Sequence, residues 1–114
     1  MSTNITMTNA PELLEAWRNT LPGILNEGDS VMIQLDEAEK NRLLIHIDAA
    51  GHSAYSFDFS CRYVDDREVK VDLMDVEKAG VHVDEHTEIT QSLIEDYVRH
   101  IHECTQVLQR ITHH

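Results

Sequence analysis

The chain has 114 residues, with 21 acids against 9 Lys and Arg and a formal net charge of −12. That length holds one core and no second. The charge argues against non-specific binding to nucleic acid or to anionic membrane, both of which need a surplus of Lys and Arg.

Met1 to Asn9 is rich in Ser, Thr and Asn and reads as a disordered tail. It lacks the apolar run of a signal peptide. Residues 10–114 read as a single domain. Asn9 can cap a helix with Pro11 in its first turn, where the missing N–H matters least. Leu13, Leu14, Trp17 and Leu21 form the apolar face of that helix. Pro22 disfavours the α conformation at the residue before it, so the helix is expected to end or kink near Thr20. Ile24 and Leu25 offer one further turn before Gly28.

Four alternating segments follow. Val31, Ile33 and Leu35 form one phase of the first, with Met32 and Gln34 on the other. Leu43, Ile45 and Ile47 alternate with Leu44, His46 and Asp48. Tyr55, Phe57, Phe59, Cys61 and Tyr63 alternate with Ser56, Asp58, Ser60 and Arg62. Val69, Val71 and Leu73 alternate with Lys70 and Asp72. A period of two means one buried and one wet face. The short polar links between segments favour antiparallel neighbours, hence a four-stranded meander. Met74 to Gly80 fits either an extension of the fourth strand or one helical turn.

Glu88 to Thr112 reads as one long helix. Ile94, Tyr97, Ile101, Cys104, Leu108 and Ile111 recur at steps of three and four, and Leu93, Val98 and Val107 widen the stripe. Thr87 is the expected N-cap. Asp84, Glu85 and Glu88 sit near the start and Arg110, His113 and His114 near the end, the arrangement a helix dipole favours. The expected fold is α+β in two layers, α-β-β-β-β-α. An antiparallel sheet carries both amphipathic helices on one face.

A helix of that length spans roughly 37 Å, longer than strands of roughly 20–30 Å. Val107, Leu108 and Ile111 are therefore expected to project past the sheet and form an interaction surface, unless the first helix covers them. A second candidate surface is acidic. From Asp65 to Asp96 eleven acids face three bases, a net −8 that includes Asp65, Asp66, Asp72 and Asp75.

No catalytic residue, cofactor or functional metal centre is expected. His82-Val83-Asp84-Glu85-His86 matches the inverted zinc-protease pattern H-x-x-E-H. It falls at a helix entrance instead of a helix interior, and it has no third ligand at a suitable spacing. His82 and His86 remain a weak adventitious metal pair. His100 and Cys104 share the spacing of a chelating pair, but read better as a boundary imidazole beside a core thiol. Cys61 and Cys104 both fall on apolar phases, where burial makes a thiol inert. Free buried thiols suit a reducing cytosol, so a cytoplasmic location is expected.

These features suggest a non-enzymatic protein-interaction module, homodimeric through the last helix. One alternative is an acidic antagonist, of the immunity-protein kind, occupying a basic surface on a partner protein. Another is a small-ligand binder or enzyme using a pocket between sheet and helices.

Overall fold

The structure, a computed structural model, describes residues 10–39, 41–49, 55–65, 68–82 and 87–112; at 10, 82 and 109–112 the description is of the backbone. The elements in chain order are α1 (Ala10–Ile24), β1 (Ser30–Leu35), β2 (Arg42–Asp48), β3 (Tyr55–Tyr63), β4 (Val69–Lys78), β5 (Val81–His82) and α2 (Glu88–Thr112). The strands form one antiparallel sheet in the order β1-β2-β3-β4-β5. α1 lies against β1 and α2, and α2 reaches β4. The fold is therefore the expected two-layer α+β arrangement, extended by a short fifth strand.

Alternation fixes which face is buried. Ile33, Leu43, Ile45, Ile47, Phe57, Phe59, Cys61, Tyr63 and Val69 turn inward and join one core with the helices. α1 contributes Trp17, Leu21 and Leu25, and α2 contributes Leu93, Tyr97, Ile101, Cys104 and Leu108. Phe57 stacks on Phe59 at 6.2 Å and meets Tyr97 at 5.3 Å, so the aromatic row of β3 is the layer on which α2 rests. At the start of α2 the buried line passes through Thr90 and Leu93, and Ile94 is only half-buried.

Polar contacts fix the ends of the elements. Thr87 caps α2, its Oγ1 accepting from the Thr90 N–H at 3.3 Å. Between α1 and β1, the Asp29 N–H bonds to the Asn26 carbonyl at 3.0 Å across a turn in which Gly28 has φ 91°. That backbone region favours glycine. Asp29 Oδ2 also accepts from Tyr97 Oη at 3.1 Å, tying the turn to α2. After β1, Asp36 accepts from the Ala38 N–H at 2.8 Å and from Arg42 Nε at 2.7 Å. These two contacts hold its carboxyl below the usual carboxylate range.

Three details differ from the alternation pattern. Of the end or kink expected near Thr20, the end does not occur: α1 runs through Pro22 to Ile24. Pro22 is exposed on the outer side, and burial of Leu21 and Leu25 on the inner side keeps the turn helical. Next, of the two options for Met74 to Gly80, the strand extension holds as far as Lys78, but not in simple alternation. A bulge lies between Leu73 and Asp75, because Asp58 pairs with Asp75 while Phe59 pairs with Leu73. Met74 is the extra residue, and the bulge shifts the inward phase so that Val76 enters the core. Last, Ala79 and Gly80 link Lys78 to Val81 with φ of 54° and 82°. Two positive φ values are what a type I′ hairpin turn requires, and this turn produces β5.

β1 is a rim strand. Such strands present unpaired backbone groups that invite further pairing. Here Arg18 of α1 reaches down, and its Nε donates to the Ile33 carbonyl at 2.9 Å.

Candidate functional site

The helices cover one face of the sheet, and the opposite face carries Met32, Leu44, His46, Asp58, Met74 and Asp75 around a shallow depression. Met32 is 72% exposed and Met74 55%. Both exposures follow from local structure. Met32 occupies the outward phase of β1, and Met74 continues the outward phase of Lys70 and Asp72 up to the bulge.

Register sorts this face into rows. At one end Arg42, Arg62 and Lys70 lie side by side on β2, β3 and β4. At the other, Ser30, Asp48, Ser56 and Glu77 form a row across β1 to β4. Between them run Gln34, Leu44, Ser60 and Asp72, then Met32, His46, Asp58 and Asp75. The face is thus basic at one end, acidic at the other, and partly apolar between.

His46 is the polar centre. Its Nδ1 lies 2.7 Å from Asp58 Oδ1 and its Nε2 lies 3.2 Å from Asp48 Oδ1. Partial burial opposes a charge on the ring, but the hydrogen bond and charge of Asp58, with help from Asp48, outweigh it and raise the imidazole pKa above its ordinary value. Ser60, expected on the wet side, is 4% exposed. It is a small side chain in the middle of the sheet between Leu44 and Asp72.

The residues singled out from the sequence do not converge on one surface. Leu108 is in the core at 2% exposure and Val107 is half-buried; α1 lies alongside α2, so the projecting apolar end is closed at Leu108. The side chain of Ile111 lies outside the described residues. Asp65 sits in the β3–β4 turn, where its Oδ1 accepts from the Glu68 N–H at 2.8 Å, and Asp66 lies outside the described residues. Asp72 and Asp75 do share the outer face of β4, and Asp75 Oδ1 accepts from the Val76 N–H at 2.9 Å. His82 has its backbone in β5, while its side chain and the rest of H-x-x-E-H, including His86, lie outside the described residues.

Among the described residues no group of three or more His, Cys, Asp or Glu is placed to hold a metal ion. His100 meets the Tyr97 ring edge-on at 6.2 Å. Its Nδ1 is buried without a hydrogen-bond partner among the described residues, and the Glu103 carboxylate is 4.0 Å away. Cys61 and Cys104 are both free and buried. Burial pushes the Cys61 thiol far up and the Cys104 thiol up to about 12. A thiol that stays protonated is a poor nucleophile.

The molecule is thus a two-layer α+β domain in which, among the described residues, one sheet face is left uncovered. No family model, no curated protein and no solved structure matches the chain. No helix among the described residues is long and apolar enough to cross a membrane.

Proposed function

We propose that this protein is a non-enzymatic interaction module whose docking surface is the outer face of the sheet. One observation carries the reading: Met32 and Met74, 72% and 55% exposed, flank the half-buried Leu44 on a face over which neither helix packs. Exposed apolar groups rimmed by charge are the usual composition of a protein-binding patch. Methionine suits such a surface because its flexible thioether adapts to the partner. The protonated core thiols favour a non-catalytic role, and as free thiols they suit a reducing cytoplasm.

The test places a photo-crosslinking amino acid at position 32, 74 or 99 of the full chain in its native cell. Position 99 is an exposed control on α2. Protein adducts from 32 and 74 but not from 99 are expected. Adducts of equal yield from 99, or none from 32 and 74, would overturn the proposal.

A further inference from the structure

We propose that His46 is a proton-dependent clasp on the outer face: its doubly protonated ring joins Asp48 of β2 to Asp58 of β3, and loss of the proton at Nε2 frees Asp48. The clasp stands apart from the docking reading above, because both of its contacts lie within the chain. Its basis is the number of donors. Asp58 Oδ1 lies 2.7 Å from Nδ1, and Asp48 Oδ1 lies 3.2 Å from Nε2. Ionised carboxylates only accept, and a neutral imidazole has a single N–H. Both contacts are therefore hydrogen bonds only when the ring carries both protons. With one proton, one ring nitrogen turns a lone pair toward a carboxylate, and that contact becomes repulsive.

Distance and exposure decide which contact is lost. At 2.7 Å the Asp58 contact has the length of a charge-assisted bond, and Asp58 sits directly across from His46 in register. The Asp48 contact is longer, and the Asp48 side chain is 61% exposed against 44% for Asp58. Water replaces Asp48 more readily. The proton leaves to solvent from Nε2, Nδ1 keeps its proton on Asp58, and the Asp48 carboxylate turns into water.

The neighbours of the ring are acidic or uncharged. On β1 it faces Met32, flanked by Ser30 and Gln34. On β2 the neighbours in the same phase are Leu44 and Asp48, and on β3 they are Ser56, Asp58 and Ser60. On β4, Asp75 lies beyond Asp58, with Asp72 and Glu77 in the adjoining rows. The cations Arg42, Arg62 and Lys70 lie two rows away, roughly 13 Å at 3.3 Å per residue. Partial burial opposes a charge on the ring, but Asp58 and then Asp48 outweigh it and hold the proton above the ordinary imidazole value. The clasp is thus closed below about 6.5, the ordinary value, and opens as pH rises through the higher folded value. Opening removes the positive charge of the ring from the acidic end of the face and leaves Asp48 uncompensated. The face therefore presents a different charge on either side of that midpoint while the strands keep their register.

The experiment is NMR of the full chain, labelled with 15N and 13C and titrated from pH 5 to 9. The ring 15N signals of His46 and the carboxyl 13C signals of Asp48 and Asp58 are followed together. At pH 5 both ring nitrogens should be protonated. Above the midpoint Nδ1 should remain the protonated nitrogen. The Asp48 carboxyl signal should step at the same midpoint as the ring, and that step should be missing in His46→Gln. Asp58→Asn should lower the midpoint more than Asp48→Asn does, each variant being checked first for native circular dichroism. A neutral ring protonated at Nε2, or an Asp48 signal with no step at the ring's midpoint, would overturn the proposal. Both of these readings come from the wild type, so they stand even where a variant fails to fold. A midpoint unmoved by either Asn substitution would overturn it as well.

Discussion

Trp17 Nε1 donates to Tyr63 Oη at 3.1 Å, from an indole that is 0% exposed. This bond joins α1 to β3 through the core, and Tyr63→Phe removes only the acceptor. The phenyl ring still fills its site, so no cavity opens and the effect isolates one polar contact. An indole N–H left buried without a partner costs about 1–3 kcal/mol. Unfolding entropy near 2.1 cal/mol/K per residue gives about 0.24 kcal/mol/K for a chain of this length. The expected fall in Tm is therefore about 4–12 °C. Thermal unfolding followed by circular dichroism measures it. The chain has one Trp, so fluorescence reports the same site independently. Trp17→Phe and the double variant complete a thermodynamic cycle, in which a coupling of about 1 kcal/mol is expected between contacting residues. A Tyr63→Phe protein that melts within about 1 °C of wild type, with unchanged Trp emission, would refute the reasoning.

Leu108→Ala should lower stability by about 2–5 kcal/mol, as for other buried Leu truncations. A loss under about 0.5 kcal/mol in chemical denaturation would mean that the end of α2 is not part of the core. Neither cysteine should react with a thiol reagent at pH 8 in the folded protein, and both should react once denaturant is added; rapid labelling of the native protein is the contrary result. The raised pKa values of Cys61, Cys104, Tyr63 and Tyr97, burial being the largest cause for each, also have a stability consequence. The unfolded chain loses these protons first, so stability should fall as pH climbs past the ordinary thiol and phenol values. Tm scans from pH 8 to 11 test this, and a flat profile counts against it. His46 works in the opposite sense. Its raised pKa means that its contribution is fully present below about 6.5, its unfolded value, and is lost as pH rises through the folded value. His46→Gln should accordingly destabilise more at pH 5.5 than at pH 8, by a small amount because the ring is partly exposed. An imidazole titration midpoint below 6.5 by NMR would contradict it.

Much of the architecture was legible because local signals agreed with the global ones. Residues 88–112 keep an unbroken three-four period behind the Thr87 cap, and nothing in the core competes with that helix. β1, β2 and β3 alternate cleanly, so their inward residues could be read directly. Where the structure departs from the local pattern, packing or turn geometry overrides it. Pro22 weakens a helix, yet Leu21 and Leu25 gain more from burial than the turn loses. The bulge was visible in principle as the three-residue step from Leu73 to Val76, a break in a period of two. The hairpin at Ala79-Gly80 carries an alanine at a position where Asn or Asp is the usual signal. The open face was legible residue by residue, since Met32 and Leu44 are apolar members of otherwise polar phases. Its polarity was not, because the rows Arg42–Arg62–Lys70 and Asp48–Ser56–Glu77 exist only once register aligns distant segments.

The guanidinium of Arg18 on the Ile33 carbonyl has a bearing on what kind of assembly this protein can enter. A bare β1 would let copies join side by side into a lengthening ribbon, with no geometric reason to stop. With that carbonyl already engaged, and with β5 only two residues long on the far margin, lateral growth has little to grip. One arginine thereby blunts a margin along which sheets would otherwise join.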